Sequence, residues 1–179
     1  MIRTKVCTLA IIALLAGLCV GRDMAAPAQS GLVVGAPELQ VTVATPEGGV
    51  WMLRDKSSAL EVVLGNLTGK PMELYQSWNS WGYFNLTLEW EADGKKGTVT
   101  PVGRGWTKNF PSTTTVPAGG VMVRSVDIGG DWTGWPELKD GMKLTLRAVY
   151  DSKENGGQGW VGTTESEPVT IGVRDVRTP

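Results

Sequence analysis

The sequence predicts an all-β fold, a sandwich or a barrel, on three observations. The first is the alternation over residues 83–91. Phe84, Leu86, Leu88 and Trp90 share one parity, and Tyr83, Asn85, Thr87, Glu89 and Glu91 share the other. Period two marks a strand with one buried and one wet face, and a helix of 3.6 residues per turn would scatter the same groups. The second is its repetition over residues 142–150. There Met142, Leu144, Leu146, Ala148 and Tyr150 point inward and Lys143, Thr145 and Arg147 outward. The third is punctuation: 24 glycines and 10 prolines in 179 residues break the chain into short, evenly spaced apolar runs, as in sandwiches and barrels.

The front of the chain reads differently. Arg3 and Lys5 precede the uncharged apolar run 6–20, and Ala26-Pro27-Ala28 offers a small-residue cleavage site, so residues 1–28 are expected to be a secretory signal. The run is short for a membrane span, which needs about 20 residues, and Arg22 and Asp23 end it. Cys7 and Cys19, the two cysteines, would leave with the signal. A lipid-modified Cys19 is disfavoured by Leu18, where a lipoprotein signal has a small residue. The expected product is secreted, periplasmic or cell-surface, with no membrane span after signal removal.

Residues 29–36 read as a flexible leader, 37–175 as one β domain of about eight strands, and 176–179 as a tail. Strands are expected at 38–44, 59–65, 72–76, 83–91, 98–102, 121–128, 142–150 and 169–173, with no internal helix. Residues 50–57 are ambiguous, and Trp160 and Val161 open a last hairpin. Asp93-Gly94 is the strongest hairpin signal. The inward parity of 121–128 stays open, because Val121 and Val123 compete with Met122, Val126 and Ile128. Residues 129–140 form a loop long enough to be functional.

Three stretches favour the sandwich. Asn66-Leu67-Thr68-Gly69-Lys70-Pro71-Met72-Glu73-Leu74 resembles the N-x-T-x-x-P-x-x-L turn of secreted immunoglobulin-like domains. Pro117-Ala118-Gly119 resembles their P-x-G turn, and residues 141–150 resemble their penultimate strand. Such turns also occur in BsuPI-type proteinase inhibitor domains, although no inhibitory loop carries over. The resemblance implies an immunoglobulin-like antiparallel β-sandwich; fold alone does not fix function.

Composition removes several functions. The net charge of −1 provides no basic field for nucleic acid. The absence of histidine removes the commonest general base and metal ligand. No G-x-S-x-G, H-E-x-x-H, P-loop or dinucleotide fingerprint occurs, so no enzyme activity, cofactor or metal is expected. Glu89 and Glu91 read as surface acids, and Asp127 with Asp131 matches no calcium-loop spacing. Asn66-Leu67-Thr68 and Asn85-Leu86-Thr87 are sequons that matter only in a glycosylating host.

The eight tryptophans are the unusual feature. Parity places Trp51 and Trp90 in the core. Trp78, Trp81, Trp106, Trp132, Trp135 and Trp160 fall in predicted loops, where they either plug the ends of the sandwich or contact a ligand. Trp132, Trp135, Trp78, Trp81 and Trp106 are the candidate binding residues. Trp132 and Trp135, with Gly134 between and Pro136 after, are the pair that a loop tip would hold in fixed relation. The expected function is binding or scaffolding of another protein; the alternative is a carbohydrate-binding module using loop tryptophans.

Overall fold

The computed structural model describes residues 38–54, 58–107, 110–153 and 159–176. The expected signal, the leader, both cysteines and residues 177–179 of the tail lie outside the described residues. The chain is all-β. Its strands are β1 Leu39–Val43, β2 Val50–Leu53, β3 Ala59–Asn66, β4 Met72–Tyr75, β5 Leu86–Ala92, β6 Lys95–Pro101, β7 Thr113–Val116, β8 Val121–Asp127, β9 Trp132–Thr133, β10 Lys143–Ser152, β11 Gly162–Glu165 and β12 Val169–Asp175. The excess over the eight expected is four short strands, β2, β7, β9 and β11. There is also a short helix, α1 at Ser80–Tyr83, and a 3-10 turn at Glu47–Gly49; the sequence reading had no internal helix.

Three sheets form. The first runs β1-β3-β8, the second β2-β12-β10-β5-β6-β9 with β11 also on β10, and the third is the pair β4-β7. The arrangement is sandwich-like but not wholly antiparallel, because β2 runs parallel to β12. Alternation builds the core as expected. Leu39, Val41 and Val43 of β1 and Val62 and Leu64 of β3 pack with Leu86 and Leu88 of β5 and Ala148 and Tyr150 of β10. A second cluster gathers Trp51, Leu53, Leu60, Leu144, Leu146, Ile171 and Val173. Burying each such aliphatic side chain contributes about 1.5–3 kcal/mol. Asp93 and Gly94 both take positive φ, 49° and 70°, as a two-residue hairpin turn requires. Gly97 lies in β6 under the Trp90 indole, where a Cβ would lie 2.5 Å from the ring.

The strand expected over 83–91 begins at Leu86 instead. Tyr83 closes α1 and is buried, whereas Phe84, counted as core, is 46% exposed. The reason is Asn79, which caps α1 and pulls the preceding residues out of the extended form. The open parity of β8 also has a cause. Its inward positions are Met122, Arg124 and Val126, and its outward ones Val121, Val123 and Ser125. An arginine on the core side breaks the apolar pattern.

Strands β3 and β8 pair, and so do β4 and β7. The two ladders are consecutive parts of the same two segments, bent at the turns after Asn66 and Val116. Asn66 ties both turns together. Its Nδ2 donates to the carbonyls of Lys70 (2.7 Å), Val116 (3.0 Å) and Pro117 (3.1 Å), and its Oδ1 accepts from the amide (2.9 Å) and hydroxyl (2.7 Å) of Thr68. The N-x-T-x-x-P signature thus has a physical role: one buried amide side chain satisfies backbone groups that the bend removes from the ladders.

Candidate functional site

The site grows from α1. The buried Asn79 side chain accepts from the amides of Trp81 (3.1 Å) and Gly82 (3.0 Å) and donates to Ser112 O (2.9 Å). Gly82 permits the tight turn, since a Cβ there would lie 2.4 Å from Gln76 O. Arg124 reaches across from β8. Both its terminal nitrogens donate to Gly82 O at 2.9 Å, and one also to Tyr75 O at 3.4 Å. Burial lowers its pKa, and carbonyl dipoles stand in for a carboxylate partner.

Tyr83 leaves this turn with its ring edge-on to Phe84 (4.8 Å) and Trp106 (5.3 Å). The Arg104 guanidinium lies over Tyr83 at 3.9 Å and near Trp106 at 4.8 Å, and reaches Asp131 at 3.7 Å. Each cation–π contact at such a site contributes about 0.5–1 kcal/mol and the exposed ion pair about 0.2–1 kcal/mol. Together they fix Arg104 between rings and acid. Burial, then Asp131, raise the Tyr83 pKa, and Arg104 opposes them. Trp78, Arg104, Trp106 and Phe110 line one hollow. A second, sharing Trp78 and Arg104, runs past Tyr83 to Asp127, Asp131 and Trp132.

The candidate tryptophans therefore divide. Trp78, 60% exposed, and half-buried Trp106 share the first hollow. Trp81 is half-buried within α1. Trp132 lies not in a loop but on β9, opposite Pro101 of β6, and packs against the core while lining the second hollow. Trp135 packs against Trp51 with ring centres 5.2 Å apart and the planes tilted by 44°, donates to Asp127 O at 2.8 Å and touches both core clusters. Gly134 between them takes φ 91° beside Thr98 O, and its carbonyl accepts from Trp90 Nε1 at 2.8 Å. Trp90, expected in the core, is half-buried across Gly97. Trp160 packs near Tyr150, with ring centres 6.0 Å apart. Trp135→Ala is expected to destabilise the domain by about 3 kcal/mol, near the lower bound for buried Trp truncation. Urea denaturation checks this, and an unchanged midpoint would free Trp135 for a ligand.

The acids behave as surface groups. Glu89 pairs with Arg147, which also holds Glu165 at 2.8 Å, and Glu91 pairs with Lys96 at 3.0 Å. Among the described residues no cluster of three His, Cys, Asp or Glu side chains is placed to hold a metal. Sequence reasoning missed Tyr83, Arg104 and Phe110. Tyr83 stood on the wet parity of a strand it does not join, and Arg104 and Phe110 belong to a loop without alternation. The flanking glycines of Gly103-Arg104-Gly105-Trp106 and the Phe110-Pro111 pair were the available signals. Compared with known protein families and with curated proteins, the chain matches none.

Proposed function

We propose that the chain is an exported, non-enzymatic, immunoglobulin-like domain that binds another protein through the end bearing Trp78 and Phe110. One observation carries the reading. The exposed phenylalanine and tryptophan side chains among the described residues are Trp78 (60%), Phe84 (46%) and Phe110 (74%), and all three belong to the Tyr83–Trp106 assembly. Clustered exposed rings rimmed by polar groups mark protein-binding surfaces, and aromatic and arginine anchors dominate binding energy there. Trp106 and Phe84 stand at 70° and 85° to the Tyr83 ring, an arrangement that favours a compact patch over the flat row suited to a polysaccharide.

The immunoglobulin-like assignment rests on the two turn signatures and on the paired segments that bend at Asn66 and Val116. Export rests on the basic start, apolar run and Ala26-Pro27-Ala28 of the front. The double variant Trp78→Ser, Phe110→Ser tests the binding reading. Its melting temperature is expected to stay within about 2 °C of the parent's, since surface changes cost within about 0.5 kcal/mol. A protein photo-crosslinked to the parent chain through a probe at Phe84 is expected to be lost. Equal crosslinking of both chains would overturn the reading. Retention of the parent alone on chitin or cellulose would replace it with the carbohydrate-binding one.

A further inference from the structure

We infer that the partner is engaged as an extended segment that adds to the free edge of β8 and sets a basic side chain against Asp127 and Asp131. This rests on the protein-binding reading above and names the chemistry of the partner. β8 pairs with β3 from Val121 to Asp127, and no strand covers its other edge among the described residues. Proteins blunt such edges with proline, lysine, bulges or inward charge. β8 has no proline or lysine, and of these devices carries an inward charge, Arg124, held on the Gly82 and Tyr75 carbonyls. Outward stand Val121, 60% exposed, Val123, 50% exposed, and Ser125. The opposite edge of the sheet differs, because Thr164 of β11 donates to Leu39 O of β1 at 3.1 Å.

Beside this edge lies the second hollow, of about 490 Å³, within the range of ligand-sized clefts. Val123, Arg124, Ser125 and Asp127 form the β8 wall; Trp78, Tyr83 and Trp132 stand across from it. An added strand alternates its side chains, so one set lies on the face of Val121, Val123 and Asp127 and the other on the face of Met122, Arg124 and Val126. Such strand addition draws affinity from main-chain hydrogen bonds and specificity from pockets for alternate side chains.

The charge comes from the acids. Asp127 Oδ1 is shielded from solvent and has no hydrogen-bond donor. Burial and the neighbouring Asp131 raise the Asp127 pKa, with the Gly129 amide opposing. Neither arginine of the cleft serves Asp127: Arg124 is spent on carbonyls, and Arg104 lies over rings and toward Asp131. A lysine or arginine of the partner meets the Asp127 and Asp131 carboxylates where they line the cleft. A second copy paired antiparallel about Arg124 would set Val121 opposite Asp127 and bring no cation to it.

The test presents the full chain to a library of random linear peptides. Enriched sequences are expected to carry a lysine or arginine among alternating apolar residues. A selected peptide is expected to slow hydrogen exchange in β8, and to lose at least tenfold affinity for Asp127→Asn, Asp131→Asn or when its basic residue becomes norleucine. Selected peptides without a basic residue, or without effect on β8 exchange, overturn the inference. So does a chain dimer that protects β8, or protection that disappears when residues 1–37 are deleted. If no peptide is enriched while crosslinking still depends on Trp78 and Phe110, strand addition falls and the binding reading stands. If crosslinking is independent of those rings, the binding reading falls itself.

Discussion

Leu88→Asp is expected to unfold the domain, and Thr87→Asp to leave it folded. Leu88 is fully buried at the middle of β5, opposite Ala148 of β10 and Val99 of β6, both also inaccessible. A carboxylate there faces apolar neighbours, the buried Arg124 being held by the Gly82 and Tyr75 carbonyls, and an uncompensated buried carboxyl costs several kcal/mol. That is comparable with the roughly 5–15 kcal/mol by which domains are stable. Thr87 is one residue away on the opposite face, half-buried and opposite Val149. Its replacement costs β-propensity on a scale of about 1 kcal/mol. Near-ultraviolet circular dichroism and urea denaturation of both variants decide the matter. Equal midpoints would mean that the register of β5 is wrong.

Asn66→Ala is expected to cost about 3–5 kcal/mol, which is large for a polar residue. The change removes the donor for three carbonyls and the acceptor for Thr68. Each buried group left unsatisfied costs about 1–3 kcal/mol; Lys70 O keeps a second donor in Thr68 Oγ1 and Pro117 O one in the Gly120 amide, each at 2.8 Å, so the loss falls on Val116 O and the Thr68 amide. Asn66→Asp keeps the acceptor yet aims a carboxylate at three carbonyl oxygens, so it is expected to be at least as damaging. Thr68→Val, losing one hydroxyl, is the mild control at about 1 kcal/mol. Denaturation midpoints that place Asn66→Ala with Thr68→Val would remove Asn66 from its role at the two bends.

The contrast between β10 and β7 explains how much of the fold was legible. β10 carries a regular inward series from Leu144 to Tyr150, and period two is enough to read it. β7 is Thr-Thr-Thr-Val, with one buried residue. It exists because β4 offers a partner ladder, and a partner distant in sequence leaves no local pattern. α1 was invisible for a related reason: it is short, and its stability comes from Asn79 and from Arg124, forty-odd residues onward. The site was legible only as tryptophans in loops. That marked Trp78 and Trp106, but the arginine and tyrosine joining them are brought together by β5, β8 and the Asp131 turn. Tertiary pairing of that kind has no signature in composition or spacing.

The burial of two asparagines has a consequence for the route by which the chain is made. Asn66 is 1% exposed and Asn85 7%, and each heads an Asn-x-Thr sequon. An N-linked glycan is bulky and belongs on a surface. In a host that glycosylates, the transferase meets these amides only on the nascent chain. A sugar placed on Asn66 occupies the nitrogen that must reach three carbonyls, so the modified chain cannot close its two bends. Secretion through an endoplasmic reticulum thus becomes a race between sugar transfer and strand pairing, a race that a bacterial periplasm lacking that transferase never starts.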